Sequence, residues 1–150
     1  MENPSTTEFA GGPRAVGPLD ALAQLPEDCR LARAAGVNLL VVVPSDEGKV
    51  DNLMGELLAD ATPPVVKWQA GERLTLPVAA QTGTFVLHNV GALTLSDQRR
   101  LIEWLERTAG RTQVISTTPT PVLPLVQEGT FLARLYYRLN TVCVDVNVTA

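Results

Sequence analysis

Residues 37–43 read Val-Asn-Leu-Leu-Val-Val-Val, a short and almost continuous apolar run that is rich in β-branched side chains. Such a run is typical of a central β-strand that is covered on both faces, as in a parallel sheet. Pro44 ends the run, and residues 49–59 then place apolar side chains on one face of a helix. A strand followed directly by a helix predicts one βα unit of an α/β fold.

The same alternation of strand and helix continues to the end of the chain. Further strands are expected at residues 65–68, 84–90, 113–117 and 142–148, and further helices at residues 96–108, 122–128 and 130–139. Residues 19–35 also have helical spacing, interrupted at Pro26, which can begin a second helix. Residues 70–82 are interpreted mainly as a loop, although Leu74, Leu76 and Val78 alternate as in a marginal strand. The pattern predicts an α/β three-layer sandwich, with a five-stranded and mostly parallel sheet between helices.

Small residues mark the expected ends of these helices. Gly36 is expected to terminate the first helix of the domain, and Gly110 to close the helix before the fourth strand. Ser96 is expected to cap the start of that same helix, and Thr130 to cap the last helix.

The composition predicts one soluble domain. The 150 residues, 45% of them hydrophobic, suffice for a single domain with a substantial core, expected over residues 19–150. Residues 1–18 are rich in Gly and Pro among small polar residues, which predicts a flexible N-terminal tail. Neither a signal-like leader nor an apolar stretch of about 20 residues is found, so a cytoplasmic location is expected.

The net charge and the two cysteines argue against nucleic acid and metal ions as ligands. A net charge of -4 and a pI near 4.9 argue against a broad nucleic-acid footprint, and direct DNA binding is not expected. Four arginines could form a local basic patch or simply solvate a helix: Arg99, Arg100, Arg107 and Arg111. Cys29 and Cys143 have no metal-ligand spacing and are expected to be small core residues, so no metal site is expected.

Several segments of the last two thirds carry a family resemblance. They are Gly-Thr-Phe-Val-Leu-His-Asn-Val-Gly at residues 83–91, the helix positions Leu95, Gln98, Leu101, Ile102 and Leu105, Glu-Gly-Thr-Phe at residues 128–131, and Leu-Tyr-Tyr-Arg-Leu-Asn at residues 135–140. Together they resemble the AAA+ domain of the sigma-54-dependent transcriptional activators, over about residues 20–146. The resemblance implies a P-loop NTPase sandwich with strand order 5-1-4-3-2.

The resemblance places a remnant Walker A loop at residues 43–50. A working P-loop surrounds phosphates with backbone N–H groups of glycines and contacts them with a lysine. Here Ser45, Gly48 and Lys49 remain as candidate nucleotide-binding residues, while Asp46 and Glu47 bring two carboxylates close to where a polyphosphate would lie. The alternative interpretation is a turn glycine and a solvated lysine at the start of a helix.

The Walker B position is altered as well. The family ends its third strand with an acidic pair that serves magnesium and the attacking water, whereas His88 and Asn89 occupy these places here. The two are interpreted as hydrogen-bonding residues at a strand end, with His88 as a general base the alternative. Pro119 falls near the family's polar sensor position, and Arg138 at one of two arginine-finger positions, the other being Leu132.

These departures predict a non-catalytic pseudo-AAA+ module that acts through protein–protein contact in transcription regulation or signalling. No counterpart of the GAFTGA loop is found between Lys49 and Asn89, and the lid subdomain is expected to be absent. The partner expected is an AAA+ activator or a signalling protein, with interference in hexamer assembly as one mode of action. No cofactor and no catalytic residue are expected. The alternative is a residual ATP- or ADP-binding switch that uses Lys49 and Arg138.

Overall fold

The structure is a computed structural model, and it describes residues 31–32, 34–43, 47–59, 61–78, 82–108 and 110–145, with residues 47–50 described by their backbone alone. The elements are β1 (Leu39–Val42), α1 (Glu47–Leu57), β2 (Val65–Gln69), β3 (Gly83–His88), a 3₁₀ turn (Val90–Ala92), α2 (Leu95–Thr108), β4 (Thr112–Thr118), α3 (Leu123–Glu128), α4 (Ala133–Leu139) and β5 (Val142–Asp145). All the strand pairs described are parallel, in the order β2-β3-β4-β1-β5. The α/β class and the implied strand order 5-1-4-3-2 are therefore confirmed.

The run that ends at Val43 forms the central strand, as predicted. β1 pairs with β4 on one side and with β5 on the other, and all four of its residues are buried. Leu40 packs into one apolar cluster, while Leu39 and Val41 pack into a second. Because alternate side chains of a strand point to opposite faces, both faces of the sheet are covered.

Each face of the sheet carries its own layer of helix. On one face, α1 contributes the buried side chains of Leu53, Met54 and Leu57, which match the predicted helix face. On the other face, α2 and α4 pack over the sheet, with Trp104 edge-on to Phe85 at a ring-centroid distance of 5.3 Å. The predicted three-layer arrangement is thus observed over the described residues.

The start of α2 differs from the prediction. The hydroxyl of Thr94 accepts the backbone N–H of Asp97 at 3.1 Å, so Thr94 caps the helix and Ser96 lies inside its first turn. A capping oxygen must precede the first turn to accept its free N–H groups, which Ser96 cannot do. Gly110 follows the helix with a φ of 82°, as expected for a residue that closes it.

Thr130 was also assigned to the wrong helix end. Its hydroxyl donates to the carbonyl of Leu125 in α3, at 3.3 Å, and α4 begins only at Ala133 with no side-chain cap. Thr130 therefore adds a hydrogen bond at the end of α3, to a carbonyl that also accepts the backbone N–H groups of Thr130 and Phe131. Gly129 precedes it in the left-handed conformation, which is the usual way for a chain to leave a helix.

A buried glutamine joins α2 to the segment between α3 and α4. The side chain of Gln98 is inaccessible to solvent, donates to the carbonyls of Leu93 and Thr130 at 3.0 Å each, and accepts the N–H of Leu132 at 2.7 Å. Gln98 was one of the positions that carried the family resemblance. Its contacts give that position a structural role, because three backbone groups depend on it.

The remaining predictions have mixed outcomes. Cys143 is exposed on β5, so the expectation of a core cysteine there is wrong: β5 is paired with β1 alone among the described strands. The described residues between Ala70 and Thr82 form no strand, and Leu74 is buried from a loop. The predicted tail, most of the first helix, Cys29 and residues 146–148 lie outside the described residues. None of the described helices has the length and apolarity needed to cross a bilayer.

Candidate functional site

The candidate site lies where the parallel strands end. β3 finishes at His88, and β4 finishes beside it at Thr117 and Thr118. In open α/β sheets, ligands bind in the crevice outside the carboxyl ends of the strands, because loops and helix starts converge there. The end of β1 at Val42 and the start of α1 belong to the same side of the sheet.

His88 is half-buried at this edge and has charged residues around it. Its Nδ1 atom lies 3.5 Å from the Thr117 hydroxyl, at the outer limit of a hydrogen bond. Burial lowers the pKa of His88 from its ordinary value of 6.5, the positive charge of Lys67 lowers it further, and Asp51 acts in the opposite direction. The imidazole is therefore neutral at pH 7.

Asn89 contributes its backbone to this arrangement. It adopts a left-handed conformation with a φ of 59°, and its backbone N–H donates to the Thr117 hydroxyl at 3.2 Å. That hydroxyl accepts from Asn89, and it can donate its own proton to Nδ1 of His88 in the tautomer that carries the imidazole proton on Nε2. Hydrogen bonding at the strand end, which the sequence predicted for these two residues, agrees with this geometry.

The candidate residues of the remnant Walker A loop are described only in part. Gly48 and Lys49 lie in the first turn of α1, which starts soon after β1, and their side chains are outside the description. Ser45 lies outside the described residues altogether. The strand-to-helix order that a phosphate-binding loop requires is therefore present at residues 39–57.

Arg138 lies at the opposite end of the strands from His88. Its backbone carbonyl accepts the side-chain N–H of Asn38, which immediately precedes β1, so Arg138 is near the amino ends of the strands. Strands of this length span roughly 15–20 Å, which separates Arg138 from His88 within one chain. Its guanidinium lies 3.7 Å from the Glu106 carboxylate, which also pairs with Arg134. Arg138 is exposed and lines a shallow groove with Tyr137.

The described residues do not assemble a metal site. No three His, Cys, Asp or Glu side chains among them lie close enough together to share an ion.

The chain makes a turn directly after β4, beside His88. The hydroxyl of Thr118 donates to the carbonyl of Thr120 at 2.6 Å, with Pro119 between them. Pro119 therefore lies in a tight turn beside the site.

Sequence reasoning missed three neighbours of His88. Lys67, Asp51 and Thr117 come from β2, α1 and β4, and none of them belongs to a motif that the sequence displays. Thr117 could have been found, since the ends of neighbouring parallel strands share an edge. Lys67 and Asp51 could not, because their approach depends on the register of β2 and on the packing of α1.

Comparison with known proteins identifies this architecture. The family model of the sigma-54 interaction domain matches residues 23–148. The chain belongs to the sigma-54 interaction domain family. The match includes β1, α1, the strand that ends at His88, and α4 with Arg138. The family resemblance inferred from the sequence is confirmed.

Individual relatives agree with the family. The probable regulatory protein WtsA of the pathogenicity locus of Pantoea stewartii is 35% identical over 78 residues, which are 45% of this chain and 24% of WtsA. NtrX from Brucella abortus, in a crystal structure with ATP, superposes with a TM-score of 0.67 at 20% identity, over 89% of this chain and 36% of NtrX. The P-loop NTPase domain of a sigma-54 activator from E. coli superposes with a TM-score of 0.58 at 18% identity, over 87% of this chain and 96% of that domain.

These matches establish the fold and the family. The two solved structures share less than a quarter of their residues with this chain, so their likeness concerns the fold alone. The chain spans only about a quarter of the length of WtsA and about a third of NtrX.

Proposed function

We propose that this chain is a non-catalytic sigma-54 interaction domain that acts through contact with another protein, in transcription regulation or signalling. The observation that carries the proposal is the end of β3, where a neutral imidazole and an asparagine stand in place of an acidic pair. Phosphoryl transfer in P-loop enzymes depends on acidic residues at this strand end for its magnesium ion and its water.

The groups at this strand end do not fit a magnesium ion. Magnesium takes oxygen ligands, usually with at least one carboxylate, in near-ideal octahedral geometry. His88 offers nitrogen and Asn89 only a neutral amide oxygen, while the carboxylate of Asp51 near His88 is opposed by the ammonium group of Lys67, which lowers the pKa of His88. A nearby positive charge would also repel a divalent cation. No catalytic step is therefore assigned to the site.

A second candidate function rests on the start of α1. This helix follows β1 closely and carries Gly48 and Lys49 in its first turn, so a helix N-terminus is presented at the ligand edge of the sheet. Helix N-termini bind anions through free N–H groups and the helix dipole. A domain of this kind could act as a switch that senses ATP or ADP with slow or no hydrolysis.

Thermal unfolding with millimolar Mg-ATP or Mg-ADP separates the two candidates. A ligand at a hundredfold excess over its Kd stabilises the folded state by about 2.7 kcal/mol, which would raise Tm by several degrees in a domain of this size. We expect no shift with either nucleotide. A shift that Lys49→Ala abolishes and that Arg99→Ala retains would instead establish the nucleotide switch, since Arg99 is an exposed cation on α2.

Two further assays address catalysis and partnership directly. Phosphate release from Mg-ATP at an ordinary enzymatic rate would contradict the non-catalytic proposal. For the partner, we expect the purified chain to co-elute with the AAA+ domain of a sigma-54 activator or to alter its hexamer assembly in size-exclusion chromatography. A signalling protein is the other class of partner that fits this family, and co-elution with neither class would count against the proposal.

A further inference from the structure

A basic groove lies between the loop after β2 and the outer face of α2. It is open to solvent, has a volume of about 560 Å³, and is lined by the side chains of Arg73, Arg100 and Arg107, with Trp104 in its wall. The candidate site at the end of β3 does not include it, and neither the family match nor the relatives assign it a role. We name it the arginine groove.

Both walls of the arginine groove are held in place. The indole N–H of Trp104 donates to the carbonyl of Pro77 at 2.7 Å, and the guanidinium of Arg100 donates to the carbonyl of Leu74 at 3.2 Å. Leu74 is buried beneath the loop, and Trp104 is only 1% exposed. The loop is therefore fastened to α2 at two points, so the arginines project from a fixed surface.

The positive charge of this groove is largely uncompensated. Arg100 pairs with Asp97 at 3.1 Å, but the side chains of Arg73 and Arg107 make no hydrogen bond or ion pair with any residue that the structure describes. The guanidinium of Arg111 also approaches, donating to the backbone carbonyl of Arg107 at 2.9 Å. In a chain of net charge -4, the side chains of Arg73 and Arg107 therefore leave two positive charges in the groove without an ion pair to the described residues.

We propose that the arginine groove binds an acidic, extended segment of the partner protein. Arg100 and Arg107 are seven residues apart on α2, which is two helical turns or about 10 Å. A segment in the extended polyproline II conformation advances about 3.1 Å per residue with three residues per turn, so carboxylates three residues apart lie on one side, about 9 Å apart, and match this spacing. Arginine suits such ligands because its planar guanidinium forms paired hydrogen bonds with a carboxylate.

The charge of the whole chain favours a peptide over a nucleic acid. A nucleic-acid strand carries a phosphate at every nucleotide and would extend beyond the groove over a chain whose net charge is -4. A short acidic segment would contact only the positive charges of the arginine groove. The inference rests on the proposed protein-binding function and specifies the chemistry of one contact surface.

The test measures fluorescence anisotropy of a fluorescein-labelled peptide of Ser and Gly that carries two Glu residues three positions apart. The full chain should bind it saturably at low salt with a Kd below about 1 mM, and the same peptide with Gln in place of Glu should not bind. Arg73→Glu and Arg107→Glu should each weaken binding roughly tenfold, because each converts an attraction into a repulsion. The matched control is Arg99→Glu, which makes the same charge change on α2 outside the groove and should change Kd less than twofold.

Several outcomes would overturn the inference: no saturable binding of the acidic peptide, equal binding of the Gln peptide, or equal weakening by Arg99→Glu. Displacement of the peptide by single-stranded DNA at lower concentration would assign the groove to phosphates instead. Circular dichroism and Tm of each variant verify folding, which is expected because these side chains are exposed. Hydrolysis of Mg-ATP in the same preparation would contradict the proposed function, whereas failure of peptide binding alone would contradict only this inference.

Discussion

At the scale of single residues, His88 gives the strand end its distinctive chemistry. Its neighbours come from three elements, and their summed effect lowers its pKa, with burial as the largest cause. A neutral imidazole 3.5 Å from the Thr117 hydroxyl can take part in hydrogen bonding at physiological pH. The sequence pattern places His88 at the end of a strand. It does not predict the electrostatic environment of His88, because that environment depends on how β2 and α1 pack around it.

The lowered pKa of His88 makes stability depend on pH. The unfolded chain binds a proton at His88 near pH 6.5 and the folded chain only at lower pH, so stability falls as pH decreases below about 6.5. Because His88 is the single histidine of the chain, His88→Gln should remove this dependence. We expect Tm of the wild type to fall more than Tm of His88→Gln between about pH 7.5 and 5.5. Parallel curves for the two proteins would show that His88 titrates normally.

At the scale of elements, two glycines predict opposite effects of one substitution. A Cβ on Gly83 would lie 2.7 Å from the backbone oxygen of Pro64, which also accepts the N–H of Thr84, so the start of β3 packs directly on the chain entering β2. Gly83→Ala should therefore cost about 1–3 kcal/mol in the free energy of unfolding.

Gly55→Ala is the matched change in open space. Gly55 is exposed in α1 and a Cβ there meets no atom, so alanine should stabilise the domain by about 0.5–1 kcal/mol through helix propensity. Urea unfolding of both variants measures the two effects. Equal effects of the two substitutions would mean that the contact between Gly83 and Pro64 is not tight.

The helices and strands were predicted more reliably than their ends. The apolar pattern identified each described strand because a run of apolar residues involves many positions at once. A cap depends on one oxygen, and Thr94 and Ser96 both offer one within two positions. The 3₁₀ turn that ends at Ala92 fixes where α2 can start, and this start decides which hydroxyl caps the helix. The turn itself has no clear sequence signal.

At the scale of the whole molecule, strand order came from the family resemblance. Hydrophobic patterning predicts how many strands form and which faces they bury, but it does not say which strands become neighbours. Asn38 interrupts the apolar run of residues 37–43 and immediately precedes β1. Its hydrogen bonds hold the neighbouring elements together at the amino ends of the strands. The side chain of Asn38 accepts the N–H of Val114 in β4 and donates to the carbonyl of Arg138 in α4, each at 2.9 Å, and its backbone carbonyl accepts the N–H of Val142 in β5.

Asn38→Ala should loosen this edge. The substitution leaves the buried N–H of Val114 without its acceptor and frees the end of α4, so we expect a loss of roughly 2–3 kcal/mol in the free energy of unfolding. Asn52→Ala, an exposed position on α1, is the matched control and should change stability by no more than about 0.5 kcal/mol. The comparison is made by urea denaturation, and similar midpoints for the two variants would contradict the role of Asn38.

The two helical layers, one on each face of the sheet, differ in their intrinsic tryptophan fluorescence. Trp68 and Trp104 are the only tryptophans of the chain, and both are buried in the layer that contains α2 and α4. Intrinsic fluorescence therefore monitors one side of the sheet, while the side covered by α1 emits no tryptophan signal. If the α1 side loosened first on heating, circular dichroism would change before the emission maximum did. Placing both signals on one temperature axis would show whether the two sides melt together.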